Sequence, residues 1–140
     1  MTTILVAVDG SARATGVFNA AAGLARALNG RAVIYRALEA SPDFAPPGAT
    51  GVDPLPAYLE GAARTQLMAL AATAPHVQCD LRIEGASQPW RSILAAADAV
   101  DADLIVVGSK GMQGTRRILG SVPNTVAHNA ACHVLVAKTS

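Results

Sequence analysis

The chain has 140 residues, 51% of them apolar and 15% charged, with a net charge of +1. A chain of this size buries roughly two-thirds of the surface its unfolded form exposes, so one core-rich domain spanning 1–140 is expected and a disordered or fibrous chain is excluded. The near-neutral charge offers no general attraction to nucleic acid or to an acidic membrane, so any anion site has to be local.

The first residues, "MTTILVAVDG", have no basic stretch ahead of their apolar run and no small-residue cleavage site. They are read as lacking a signal peptide, and no apolar run approaches the roughly 20 residues a membrane helix needs. A cytoplasmic protein is expected. Residues 3–8, "TILVAV", form a short apolar run stopped by Asp9-Gly10, the pattern of a strand covered on both faces. In the next stretch Val17, Ala21, Leu24 and Leu28 recur at helical intervals, and Asn29-Gly30 supplies a stop. Residues 32–38, "AVIYRAL", predict a second strand.

Residues 40–57 differ in kind, with five prolines alongside Gly48 and Gly51. A mobile loop is expected there, either a plain surface connection or a lid over a ligand. A helix follows at 57–73, with Leu59, Ala63, Leu67 and Leu70 on one face. "VQCDLRI" (77–83) alternates apolar and polar residues, which predicts a half-exposed strand at a sheet edge. Residues 89–101 predict a helix opened by Pro89, with Trp90, Ile93, Leu94, Ala97 and Val100 on one stripe. "DLIVVG" (103–108) is the fourth strand, 122–131 a short helix, and "HVLVAK" (133–138) the last strand.

Strands separated by helices imply a parallel sheet with right-handed crossovers and helices on both faces. The expected fold is a single Rossmann-like, doubly wound α/β domain with five strands in the order 3-2-1-4-5. In such sheets ligands bind beyond the carboxyl ends of the strands, where the strand order reverses. Here that places Asp9-Gly10-Ser11 opposite "GSKGMQGTRRILGSVPN" (108–124), which holds four glycines and three cations.

Gly108, Gly111 and Gly114 allow backbone N–H groups to converge on one point. Gly120-Ser121 opens a helix whose positive end favours a polyanion, and the Ser121 hydroxyl suits either a cap or a phosphate oxygen. Lys110, Arg116 and Arg117 add charge nearby. Asp9 would repel phosphate; it fits an acceptor for a ribose hydroxyl or adenine amine, or a ligand for Mg²⁺. Its structural alternative is an Asx-type turn with Gly10 and Ser11, or a helix cap.

Other nucleotide and phosphate motifs are missing. There is no GxxxxGK[ST] loop and no GxGxxG fingerprint. A phospho-acceptor receiver would want paired acids after its first strand, where only Asp9 stands. His76, His128 and His133 are not near a serine or cysteine in a nucleophile motif, and they are read as structural or solvated. Cys79 and Cys132 have neither disulfide nor metal-ligand spacing, and their strand-like surroundings predict buried free thiols.

"ILVAVDGS", "DLIVVGSKGMQG" and "LGSVPNTVAHNAACHVLVAK" resemble a universal stress protein domain. The resemblance covers the whole chain, strongest in the first strand and the last 40 or so residues. Nucleotide-binding members carry G-x2-G-x9-G-[ST]. Gly108, Gly111, Gly120 and Ser121 match it, but with eight residues between Gly111 and Gly120 in place of nine. The resemblance implies an ATP-binding stress-response module, with Mg²⁺ as companion ion. Asp9 would meet the ribose or metal side, backbone at Ala37 the adenine edge, and Gly108, Gly111, Gly120, Ser121 and Val122 the phosphates.

The resemblance also implies a homodimer paired through strand 133–138, an edge with unpaired backbone groups. No catalytic residue is identified, and at most slow ATP hydrolysis or autophosphorylation is implied. Two alternatives stand beside ATP binding. One is a cyclic AMP or AMP sensor or sink, which the shortened loop favours. The other is a dimeric interaction protein that binds no nucleotide, against which the retained glycines count.

Overall fold

Five apolar segments pair side by side into one parallel sheet in the order β3-β2-β1-β4-β5. In this computed structural model, which describes residues 1–39, 57–109 and 121–139, the strands are β1 (Thr3–Ala7), β2 (Arg31–Glu39), β3 (Gln78–Ala86), β4 (Leu104–Gly108) and β5 (His133–Ala137). The helices are α1 (Ala14–Ala27), α2 (Ala57–Ala72), α3 (Pro89–Ala99) and α4 (Ser121–Asn129). The expected order and strand direction are both found. All of the Pro/Gly-rich stretch 40–57 except Ala57 lies outside the described residues. So do Lys110, Gly111, Gly114, Arg116, Arg117 and Gly120.

Side-chain alternation along the central strands builds two cores. Ile4, Val6, Ile34 and Val106 pack with Phe18 of α1 and Leu67 of α2. Leu5, Val33, Tyr35, Ile105 and Val107 pack with Ile93 of α3 and Val126 of α4. β1 and β4, at the centre, are buried on both faces, which is why they read as continuous apolar runs. The helical stripes fall close to expectation, with one shift. Leu28 is 52% exposed because α1 has already ended at Ala27; Phe18, Ala22 and Ala25 complete the buried stripe instead.

Two helices end by the same device. After α1, Asn29 takes a left-handed conformation (φ 51°), with Gly30 N–H donating to the Ala25 carbonyl at 2.7 Å and Asn29 N–H to Arg26 at 3.3 Å. After α3, Asp101 (φ 51°) does likewise, with Ala102 N–H to Ala97 at 2.9 Å and Asp101 N–H to Asp98 at 3.2 Å. Both are Schellman closures, using residues that tolerate the left-handed region. Each then feeds a strand onto β1: Arg31 N–H donates to the Thr2 carbonyl at 2.9 Å and Asp103 N–H to that of Thr3 at 2.8 Å. The Asp103 carboxylate returns the contact by accepting the Thr3 N–H at 2.8 Å.

The sheet edges are unequal. β3, half-exposed as its alternation predicts, carries Asp80, Arg82 and Glu84, with ion pairs Arg31–Asp80 at 2.8 Å and Arg82–Glu84 at 2.7 Å. β5 is apolar apart from His133. Cys79 and Cys132 are free but only half-buried, a correction to the expected full burial, because each sits on an edge strand or its approach. Partial burial still pushes both thiols above their ordinary range, helped by Asp80 beside Cys79 and by Asp98 and Asp103 beside Cys132.

A methyl group on Gly30 would come within 2.5 Å of the Thr2 carbonyl oxygen, a backbone atom that cannot step aside. Gly30→Ala is therefore expected to lower stability by about 2 kcal/mol in urea denaturation. The exposed mid-helix Gly23 has nothing within 4 Å of such a methyl, and Gly23→Ala is expected to raise stability by about 0.5–1 kcal/mol.

Candidate functional site

A cavity of about 560 Å³ opens at the carboxyl ends of β1, β2 and β4, where the strand order reverses. Its base is formed by Ala7, Val8, Val107 and Gly108, and its apolar walls include Leu38, Leu59, Ile93 and Val122. The charged side chains lining it belong to Asp9, Arg13 and Arg36, and Tyr35 lines it too. The volume lies within the range of small-molecule sites, and the mixture of apolar walls with few polar groups is typical of them.

Asp9 follows the end of β1 after Val8. Its Oδ1 accepts the Ser11 N–H at 2.9 Å and the Ser11 hydroxyl at 2.6 Å, and Ser11 Oγ accepts the Arg13 N–H at 3.2 Å. This is the Asx turn named as the structural alternative, and it leads the chain into α1. The turn occupies one carboxylate oxygen. Among the described residues Oδ2 has no hydrogen-bond partner, so the turn and a ligand-facing role are compatible.

Ala37 lies on the part of β2 that outruns β1. β1 pairs with β2 only from Thr3↔Arg31 to Ala7↔Tyr35, whereas β2 stays paired with β3 as far as Glu39↔Ala86. In a parallel ladder alternate residues turn their N–H and C=O to opposite neighbours. Arg31 donates to Thr2 and Tyr35 accepts from Val8 at 2.9 Å, so the odd-numbered residues of β2 face β1. Ala37 shares that phase two residues further on, where β1 has ended. Its amide and carbonyl therefore face the cavity, with no backbone partner among the described residues. A donor and an acceptor side by side match the edge of a nucleobase.

Gly108 is the last residue of β4, opposite Ala137, and an extended ladder position is where it sits. Its contribution is a stretch of the cavity base without a side chain. Val122 lines the cavity from the first turn of α4. Ser121 opens α4 as expected, but it is exposed and does not line the cavity; its carbonyl accepts the Thr125 hydroxyl at 2.8 Å. The structure thus brings Asp9, Ala37, Gly108 and Val122 together, with Ser121 at the margin. Gly111 and Gly120 lie outside the described residues.

Sequence reasoning missed two pairs that frame the site. Arg36 and Gln66 are hydrogen-bonded at 2.6 Å beside Asp9. Tyr35, fully buried, shares a short hydrogen bond with the Ser92 hydroxyl on the first turn of α3. Tyr35 and Arg36 sit in the apolar run "AVIYRAL", but their partners are 57 and 30 residues away, respectively, and have no pattern that points to them. Among the described residues, no group of three or more His, Cys, Asp or Glu is arranged to hold a metal, and no helix is long and apolar enough to cross a membrane.

Burial raises the Tyr35 phenol above its ordinary value of 10.0, Glu84 adding to the rise, while the Ser92 hydrogen bond and Arg82 oppose it. The neutral phenol is the form that fits the fold. Its contribution to stability is intact below pH 10 and is lost as the pH rises through the elevated folded-state value. Tyr35→Phe is expected to cost about 1 kcal/mol at pH 7 through the lost hydrogen bond, and to flatten the fall in stability above pH 10. Denaturation curves across about pH 7 to 11 check both.

The comparison with known proteins agrees with this fold. The Universal stress protein family profile matches residues 1–138. A universal stress protein of Thermus aquaticus is 33% identical over 138 residues, covering 97% of this chain and 98% of that protein. Among solved structures, UspA from Lactobacillus plantarum superposes with a TM-score of 0.71 at 25% identity, covering 97% of each chain. A universal stress protein in complex with cAMP superposes with a TM-score of 0.70 at 28% identity, covering 99% of this chain and 98% of that one. With the profile running from β1 through β5 and the fold shared across almost the full length, this chain belongs to the universal stress protein family.

Proposed function

We propose that the crevice binds an adenine nucleotide, ATP together with Mg²⁺, and that the chain acts as a single-domain, cytoplasmic binding and regulatory module of the stress response. The observation that carries this reading is the overhang of β2, which presents the Ala37 amide and carbonyl at a cavity of about 560 Å³. Adenine offers the complementary acceptor and amine on one edge. Asp9 then stands where a ribose hydroxyl or a phosphate-bound Mg²⁺ would meet Oδ2, since Mg²⁺ is usually held by one or two carboxylates plus substrate phosphates. Gly108, Gly111, Gly120, Ser121 and Val122 would surround the phosphates, as the G-x2-G-x8-G-S spacing suggests.

A second reading has its own support. The relative in complex with cAMP is 28% identical to this chain, and the glycine loop here is one residue shorter than the ATP-binding pattern. A cyclic AMP or AMP sensor is therefore the competing assignment.

Calorimetric titration with ATP, AMP and cyclic AMP, with and without Mg²⁺, decides between them. Under the ATP reading, Gly120→Val abolishes binding and Asp9→Ala weakens it about tenfold or more while the domain stays folded. Tighter binding of cyclic AMP than of ATP overturns the ATP reading in favour of the second. Silence with every nucleotide overturns both.

We also infer that the chain forms a homodimer through β5. Ser109 N–H donates to the Ala137 carbonyl at 2.9 Å, so Ala137, Leu135 and His133 face β4, while Val134 and Val136 turn their N–H groups to the open edge. Val136→Pro removes an outward N–H without touching the β4 ladder. It is expected to convert a dimer to a folded monomer in sedimentation velocity; an unchanged dimer would place the contact elsewhere.

A further inference from the structure

Past the end of β1 the sheet supplies no donor for the Asp9 carbonyl. A side chain from α2 takes over: Gln66 Nε2 donates to it at 2.8 Å. Gln66 Oε1 in turn accepts from Arg36 Nη1 at 2.6 Å. The Arg36 guanidinium lies against the bare α-carbon of Gly10, where a methyl group would approach its Nη2 to 2.8 Å. Each contact constrains the next. A guanidinium can only donate, so the oxygen of the Gln66 amide must face Arg36 and its NH₂ must face Asp9. The main chain at Asp9 is thereby pinned at the carbonyl, while Ser11 fixes the carboxylate through Oδ1.

We infer that Gln66, with its amide oriented by Arg36, is a positioning residue that holds Asp9 so that Oδ2 meets the ribose of a bound nucleotide. This rests on the nucleotide reading given above. Gln66 is not among the residues lining the cavity, so it acts through Asp9 and not on the ligand. Arg36 lines the cavity but spends its Nη1 donor on Gln66.

Gln66→Glu tests the assignment with little change of shape. The carboxylate keeps Arg36 as partner but turns an acceptor toward the Asp9 carbonyl, replacing attraction with repulsion. Affinity is measured for ATP and for 2′,3′-dideoxy-ATP, which has no ribose hydroxyl for Asp9 to hold. The expected result is a loss of about 3- to 10-fold for ATP and no change for the dideoxy nucleotide.

Equal losses for both nucleotides would mean general damage or a contact elsewhere, and would overturn the proposal, as would no loss with ATP. A ligand-free measurement runs beside it: amide exchange at Ser11, whose N–H is held by Asp9, should quicken several-fold in Gln66→Glu, on the order expected for one weakened hydrogen bond. If the unmodified protein binds neither nucleotide, the nucleotide reading fails on its own. Unchanged Ser11 exchange would then overturn the positioning role as well, and quickened exchange would uphold it.

Discussion

The site exists because two neighbouring strands have unequal lengths. β1 leaves its ladder with β2 at Tyr35, while β2 continues against β3 to Glu39. Backbone groups on the overhang keep their alternation but lose their partner, and unsatisfied buried amides and carbonyls are costly, about 1–3 kcal/mol each. A fold can meet that cost with water, a side chain or a ligand. At Ala37 the groups face an open cavity, so a ligand or solvent has to satisfy them. The same termination of β1 releases Asp9 into a turn and brings the Arg36 guanidinium over Gly10.

Where the sheet stops supplying partners, side chains from distant segments take its place. Gln66 caps the Asp9 carbonyl from α2, and Asp103 accepts the Thr3 N–H at the opposite end of β1. Ser92 does the equivalent for the buried phenol of Tyr35. The bonds from Gln66 and Ser92 tie α2 and α3 to the sheet, so the cavity is framed by polar contacts as well as apolar packing. Ala63, Leu67 and Leu70 hold α2 to the sheet by apolar packing. The Gln66 bond to Asp9 adds a directional polar tie beside the site.

Much of the fold was legible in the residues, because the features that set it are local. "TILVAV" and "DLIVV" are continuous apolar runs since both their faces are covered, and "VQCDLRI" alternates since one of its faces is not. Asn29-Gly30 marked the end of α1 by its tolerance of left-handed backbone. Asp9 was legible too, both as a turn former and as the lone carboxylate at the strand-order reversal. The availability of the Ala37 amide was not, because it depends on the register and relative length of two strands; family resemblance alone pointed to it. Gln66 and Ser92 look like ordinary surface residues of amphipathic helices. Only the folded chain shows that Gln66 meets Arg36 and Asp9, and that Ser92 meets Tyr35.

The mismatch between the two flanks of the sheet sets a limit on growth. At β3 the outward strand is studded with Asp80, Arg82 and Glu84, which discourage a further strand from docking, whereas β5 offers valines and bare amides. A molecule with one receptive flank can be extended once, by a copy that uses the same flank, and the assembly then presents only guarded ends. Endless stacking into fibres, which needs a receptive surface at both ends of every subunit, is thereby disfavoured by a handful of charges on a single outer strand.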